Sequence, residues 1–204
     1  MKVAVRAVAS GRELQDRAEF LNRADHVLAL VADGVSGQSG GAEAAQRVVE
    51  GVRAAALSGP AQCRALLVQL DRELLADSTA GQTTAVLVGA SASGGELWGA
   101  SVGDSGAWLL SSQGHRVLSQ HSRKPYLGSG EATPVEFQAM WRDETLLVAS
   151  DGLLRYTDPT RIVLAAATQD LEEAAERLLQ LVRLPRSGEL TDDTSFILVR
   201  RGGT

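Results

Sequence analysis

His26-Val27-Leu28-Ala29-Leu30-Val31-Ala32-Asp33-Gly34 opens the reading, because an unbroken apolar run ends there on an acidic residue and a turn-forming glycine. A run of this length between turn signals reads as a buried strand. The pattern returns at Thr145-Leu146-Leu147-Val148-Ala149-Ser150-Asp151-Gly152, where one serine separates the apolar run from the Asp-Gly pair. Two buried strands that each deliver an aspartate to a turn give the first hint of a site.

Outward from these strands, the stretches 83–89, 96–102, 106–111 and 194–200 alternate or run apolar in Val, Ile, Leu, Trp and Phe between Gly and Ser turns, which predicts a meandering antiparallel sheet. Three other stretches repeat at helical spacing. Ala45, Val48, Val49, Val52 and Ala56 share one face; Cys63, Leu66, Leu67, Leu70 and Leu74 share a second; Leu171, Ala174, Ala175, Leu178, Leu179 and Val182 share a third. Strands and helices do not alternate strictly, which disfavours a doubly wound parallel sheet. The expected fold is an α+β sandwich in one domain over residues 1–204, with a loose end from Arg201 to Thr204.

The composition, 44% hydrophobic and 22% charged, is that of a globular chain able to bury a core. A net charge of -5 argues against a grip on nucleic acid, which needs a basic surface. The single Cys63 excludes an intrachain disulfide, and with no apolar leader or membrane-length apolar run the expectation is a cytoplasmic protein without a membrane anchor. Cys63 lies on an apolar helix face and reads as packed; Trp98, Trp108 and Trp141 read as core or sheet-face aromatics.

A third acidic pair, Asp192-Asp193, stands just before the last strand. If that strand runs antiparallel to the others, its start lies at the edge where they end, and three carboxylates converge. Like charges ~4 Å apart repel by ~4 kcal/mol at an effective dielectric of 20, so such a cluster calls for a cation. Oxygen ligands without a His or Cys cluster select Mg2+ or Mn2+ over zinc, and His26, His115 and His121 lack zinc-site spacing.

The segments Ala32-Asp33-Gly34-Val35-Ser36-Gly37, Gly81-Gln82-Thr83-Thr84-Ala85, Val102-Gly103-Asp104-Ser105, Ala149-Ser150-Asp151-Gly152-Leu153 and Thr191-Asp192-Asp193-Thr194-Ser195 resemble, in this order, the motifs of the PP2C (PPM) serine/threonine protein phosphatases of short bacterial type. The resemblance implies an α-β-β-α sandwich of two mostly antiparallel sheets. It also implies a site of two Mn2+ or Mg2+ ions whose shared water hydrolyses phosphoserine or phosphothreonine in a protein substrate, in signalling. It assigns Asp33 to both metals, the Gly34 carbonyl to one, and Asp151 with Asp192 to the other. Asp16 would fix metal-bound waters, and Arg12, with Arg17 behind it, would receive the substrate phosphate through a guanidinium fork.

The chain departs from the family at Gln15, which stands for a glutamate, and at Arg155, which stands where many members carry an aspartate for a third metal. Asp104, the other ligand expected for a third ion, is retained. The stretch from Asp104 to Asp151 is shorter than in typical relatives. His121-Ser122 and Tyr126-Leu127-Gly128 resemble family landmarks that normally enclose more chain and precede a flap, so the resemblance implies a trimmed flap, an open cleft and weak selection among short phosphopeptides. Arg123 and Lys124 read as a solvated basic turn. One rival is a pseudophosphatase that binds phosphoproteins as a regulatory module, favoured by Gln15 and Arg155. Another is a serine hydrolase on Gly37-Gln38-Ser39-Gly40-Gly41 with Asp104 and His121, disfavoured because the preceding strand ends at Asp33, too early for a nucleophile elbow.

Overall fold

The two runs that opened the reading become central strands, and both are apolar throughout because both of their faces are covered. The computed structural model describes residues 1–36, 39–91, 95–119 and 124–202. In chain order the elements are β1 (Lys2–Val8), β2 (Arg17–Asn22), β3 (His26–Ala32), α1 (Gly41–Ala54), α2 (Pro60–Ala76), β4 (Ala85–Ser91), β5 (Gly95–Val102), β6 (Gly106–Ser111), β7 (Gly114–Val117), β8 (Val135–Trp141), β9 (Thr145–Ala149), α3 (Asp151–Leu154), α4 (Pro159–Ala166), α5 (Leu171–Val182) and β10 (Thr194–Arg200).

The strands form two antiparallel sheets, ordered β1-β10-β9-β6-β7 and β2-β3-β4-β5-β8. Strand periodicity decides which side chain goes where. On β3, Leu28, Leu30 and Ala32 point to the layer of α1 and α2, while Ala29 and Val31 point to the opposite sheet. On β10, Phe196 and Leu198 meet α4 and α5, and Ile197 with Val199 faces the β2-β3-β4-β5-β8 sheet. The result is four layers, helices on each outer face and two sheets between them, as the α-β-β-α expectation required.

Strands β3, β6, β9 and β10 have the expected bounds, whereas β4 starts at Ala85 and not at Thr83. Thr83 forms isolated bridges to Gly34 and Leu127 instead. The first helix closes at Ala54, leaving Ala56 outside it and exposed. Trp98, Trp108 and Trp141 are all buried, and Cys63 is fully buried, its thiol pushed up to about 12 by desolvation. Strands β1, β2, β7 and β8 and helices α3 and α4 have no counterpart in the periodicity reading.

Antiparallel pairing brings the site together. Phe196 pairs with Ala149, so β10 begins where β9 ends. Thr194 pairs with Val8, so β1 also ends there. No helix is long and apolar enough to cross a membrane among the described residues.

Candidate metal and phosphate site

Asp33 leaves the end of β3 and is held by main-chain and hydroxyl contacts from the Gly81-Gln82-Thr83-Thr84 segment. Its carbonyl accepts from the Thr84 amide at 2.9 Å and from the Thr83 hydroxyl at 2.9 Å, and its own amide donates to Thr84 Oγ1 at 3.1 Å. Thr84 Oγ1 in turn lies 2.6 Å from Ser105 Oγ. The two threonines and Ser105 therefore explain why three of the ordered motifs occur together. Gly34 follows because a Cβ there would lie 2.5 Å from the Gly41 carbonyl, at the start of α1.

Asp151 begins α3 directly after β9. A Cβ on Gly152 would lie 1.9 Å from the Asp193 carbonyl oxygen, so only glycine lets the two backbones approach. Beside it, Ser150 and Ser195 join the strands: the Ser150 amide donates to the Ser195 carbonyl at 2.9 Å, and the Ser195 amide donates to Ser150 Oγ at 3.0 Å. The two acidic neighbours at the start of β10 have different tasks. Asp193 turns inward and accepts from the Ser10 amide and hydroxyl and from the Gln15 amide at 2.7, 2.9 and 2.7 Å, anchoring the loop between β1 and β2. Asp192 is left to face outward.

Asp33, Asp104, Asp151 and Asp192 line one cleft of about 540 Å3, with Thr84, Lys124, Tyr126 and Arg155. Asp16 lies beside Asp33, fully buried, and neither of its carboxylate oxygens accepts a hydrogen bond of normal geometry among the described residues. Burial, eased in part by the nearby Ser150 and Ser195 hydroxyls, raises its pKa to about 6. Asp33 is raised well above the ordinary carboxylate range, first by desolvation and then by the charges of Asp16 and Asp151. Asp192 is raised by burial and by Asp151. These carboxylates repel one another, Asp33 and Asp192 across the cleft and Asp16 from its buried position.

Among the described residues no three His, Cys, Asp or Glu side chains stand close enough to close a ligand cage by themselves. The three expected carboxylates thus share a cleft without forming a ready-made cage.

Of the other expected residues, Gly34 lies between the cleft-lining Asp33 and Val35 and bridges Thr83, and is not itself part of the cleft wall. Arg12 does not join it: it is exposed on the loop between β1 and β2 and is not part of the cleft wall. Arg17 is committed to Gln46 Oε1 and to the carbonyls of Leu14 and Asp16. The cations that do line the cleft are Arg155, whose Nη1 stands 3.7 Å from Asp151 Oδ2, and Lys124, which the sequence suggested was a solvated turn. Lys124 and Tyr126 are carried in by pairing between Leu127 and Thr83, with Thr83 N to Leu127 O at 3.1 Å and the reverse bond at 3.0 Å. Asp71 of α2 pins the rest of that loop by accepting from the amides of Gly128, Gly130 and Ala132. Gln15 Oε1 is buried without a partner and is absent from the cleft wall. Gly37, Gln38, His121, Ser122 and Arg123 lie outside the described residues.

Residues 16–202, which carry the aspartates of the cleft, match the family model of stage II sporulation protein E, SpoIIE. The chain belongs to the SpoIIE family. Solved structures agree with this SpoIIE-family fold along nearly the whole chain. A bacterial serine phosphatase superposes with a TM-score of 0.86 at 17% identity, covering 100% of this chain and 99% of that one. The serine/threonine phosphatase Stp1 from Staphylococcus aureus gives 0.82 at 18%, with 99% and 95% covered. The catalytic domain of the serine/threonine protein phosphatase PstP, in complex with two manganese ions, gives 0.76 at 19%, with 97% and 96% covered. A sequence comparison with curated proteins gave no significant match. At such identities the structural likeness establishes the fold, which is the PP2C-like sandwich expected from the motifs.

Proposed function

We propose that this SpoIIE-family chain is a metal-dependent phosphatase that removes phosphate from serine and threonine side chains of proteins. The observation that carries the reading is the gathering of Asp33, Asp104, Asp151 and Asp192 in one cleft beside the buried Asp16. Carboxylates held at raised pKa by burial and by one another are stabilised by a divalent cation. The unpartnered oxygens of Asp16 and a donor set of oxygen alone fit Mn2+ or Mg2+. The open spacing fits as well, since Mg2+ takes one or two carboxylates and keeps several waters.

Asp33 and the Gly34 carbonyl, Asp151 and Asp192 would hold two ions, with Asp16 supporting Asp33. Asp104 would serve a third ion, with Arg155 occupying the space of its missing partner. Ions bound there supply Lewis acidity and lower the pKa of a water they share. The chain's own work is placement: Thr83, Thr84 and Ser105 fix Asp33, and Gly152 with the Ser150–Ser195 pair fixes Asp151 against Asp192. Arg155 and Lys124 add positive charge to the wall, and Arg155 takes over the phosphate-receiving role first given to Arg12, because its guanidinium fork matches two phosphate oxygens.

Hydrolysis of p-nitrophenyl phosphate with Mn2+, lost in EDTA and lost in Asp33→Ala, is the expected result. No turnover with any divalent metal would sink the enzyme and leave the phosphoprotein-binding module, the reading that Gln15 and the Arg155–Asp151 ion pair favour.

Arg155→Asp replaces a cation beside Asp151 by an anion. The half-saturating Mn2+ concentration should fall about three- to tenfold, a modest effect because Arg155 is about half exposed. An unchanged metal titration would mean that Arg155 does not bear on the ions.

A further inference from the structure

A second hollow of about 660 Å3 adjoins the aspartate cleft. Two successive pairs straddle the boundary: Arg155 and Asp192 line the cleft, while their neighbours Tyr156 and Thr191 line the hollow. The Arg155 guanidinium stands 5.6 Å from the centre of the Tyr156 ring, so one side-chain stack forms the shared wall.

The hollow's wall includes two arginines, Arg161 and Arg183, and no carboxylate. In a chain of net charge -5 that local excess is unusual. Arg183 donates Nη1 to the Gly188 carbonyl, whereas the Arg161 side chain makes no hydrogen bond or ion pair among the described residues. Asp158 is the carboxylate that feels Arg161, but its side chain is occupied in capping α4 through the Thr160 amide. Apolar surface lies alongside: Tyr156 is 41% and Leu184 44% exposed. Exposed tyrosine beside arginine is the composition enriched where one chain binds another, and Leu184 adds apolar area next to it.

We propose that this hollow receives an acidic flank of the phosphoprotein substrate, its carboxylates meeting Arg161 and Arg183 and an apolar side chain resting on Tyr156 and Leu184. The inference builds on the phosphatase reading, which puts the phosphorylated residue in the adjoining cleft. An open cleft by itself predicts weak selection among phosphopeptides; the basic hollow replaces that expectation with a preference set by flanking charge. The attraction acts between solvent-exposed charges, so it weakens as salt rises.

The test compares phosphoserine peptides that differ only in a glutamate-rich or lysine-rich flank, on either side of the phosphoserine. At low salt the better-placed glutamate flank should raise kcat/KM about three- to tenfold over lysine, through KM. Arg161→Glu should abolish or invert the preference, with kcat/KM for p-nitrophenyl phosphate, which is too small to reach the hollow, as the reference. Leu184→Gln should raise KM for peptides of both charges. Fluorescence anisotropy of the labelled unphosphorylated peptides reads the hollow without turnover. If p-nitrophenyl phosphate is not hydrolysed but the acidic peptide still binds better, the phosphatase reading fails and the hollow stands. Equal binding of the two flanks, or an Arg161→Glu loss that is the same for p-nitrophenyl phosphate, would overturn the proposal.

Discussion

Asparagine in place of Asp33 should give a metal-free protein that melts at a higher temperature and a metal-loaded one that no longer hydrolyses p-nitrophenyl phosphate. Asp33 is desolvated and faces the charges of Asp16, Asp151 and Asp192, all of which push its pKa up. A carboxylate whose folded pKa lies above the unfolded value contributes stability that is present at low pH and lost as pH rises through the folded pKa. Asp16, raised to about 6, behaves the same way. In EDTA the native chain should therefore lose stability from roughly pH 4 to past pH 6, and the variant should lose less. Repulsion relieved at pH 8 amounts to about 1–2 kcal/mol, or about 2–8 °C in Tm for a chain of this size. With Mn2+ the order should reverse, because the native cluster gains the ions, and activity should fall at least about 100-fold. Melting curves in EDTA at pH 5 and pH 8 decide the point. A variant that melts no higher than native at pH 8 would show that the cluster is not under electrostatic strain.

The second large effect concerns Gly152→Ala. The added methyl would stand 1.9 Å from the Asp193 carbonyl oxygen and 2.9 Å from its carbon, and both belong to backbone that is itself fixed in place. Asp193 cannot recede without releasing Ser10 and Gln15, and β10 cannot shift without breaking the Ser150–Ser195 pair. A cost of about 3 kcal/mol or more follows, a fall in Tm of about 6–12 °C. Metal affinity should fall with it, because Asp151 and Asp192 separate. Gly11→Ala, where nothing stands within 4 Å, is the matched control and should be near neutral. A Gly152→Ala protein with native Tm would mean that the two backbones are not held in contact.

Much of this architecture was legible in the chain because its central strands are apolar on both faces. Val27 to Ala32 and Phe196 to Val199 stand out for that reason, and each hands on an aspartate or begins beside one. The outer strands were not legible. β8 has exposed residues at Val135, Glu136, Gln138 and Met140 and gives little periodic contrast, and β1 mixes charges with valines as an edge strand does. Helix α4 did carry a usable signal, Asp158 as N-cap followed by Pro159 at the first helical position. In the site, Asp33, Asp151 and Asp192 were singled out because aspartates beside a strand end are visible as such, and Asp104 entered only through the family resemblance. Lys124 was undervalued, since the pairing of Thr83 with Leu127 that brings it in spans a sequence separation no local pattern reports. Arg12 was favoured by the family resemblance and its guanidinium fork, and the loop that Asp193 anchors leaves it outside the cleft wall.

The pairing of Lys2 with Arg200 has a practical meaning for anyone who handles this chain. Val8 and Thr194 mark the aspartate-cleft pole of the same strand pair, so the two described extremities emerge side by side at the far pole. A fluorescent reporter, a surface tether or a partner domain could be joined before Lys2 or after Arg200 and would project away from the aspartate cleft. A short linker between those ends would also permit circular permutation, with new termini opened in an exposed turn such as Ser112–Gln113.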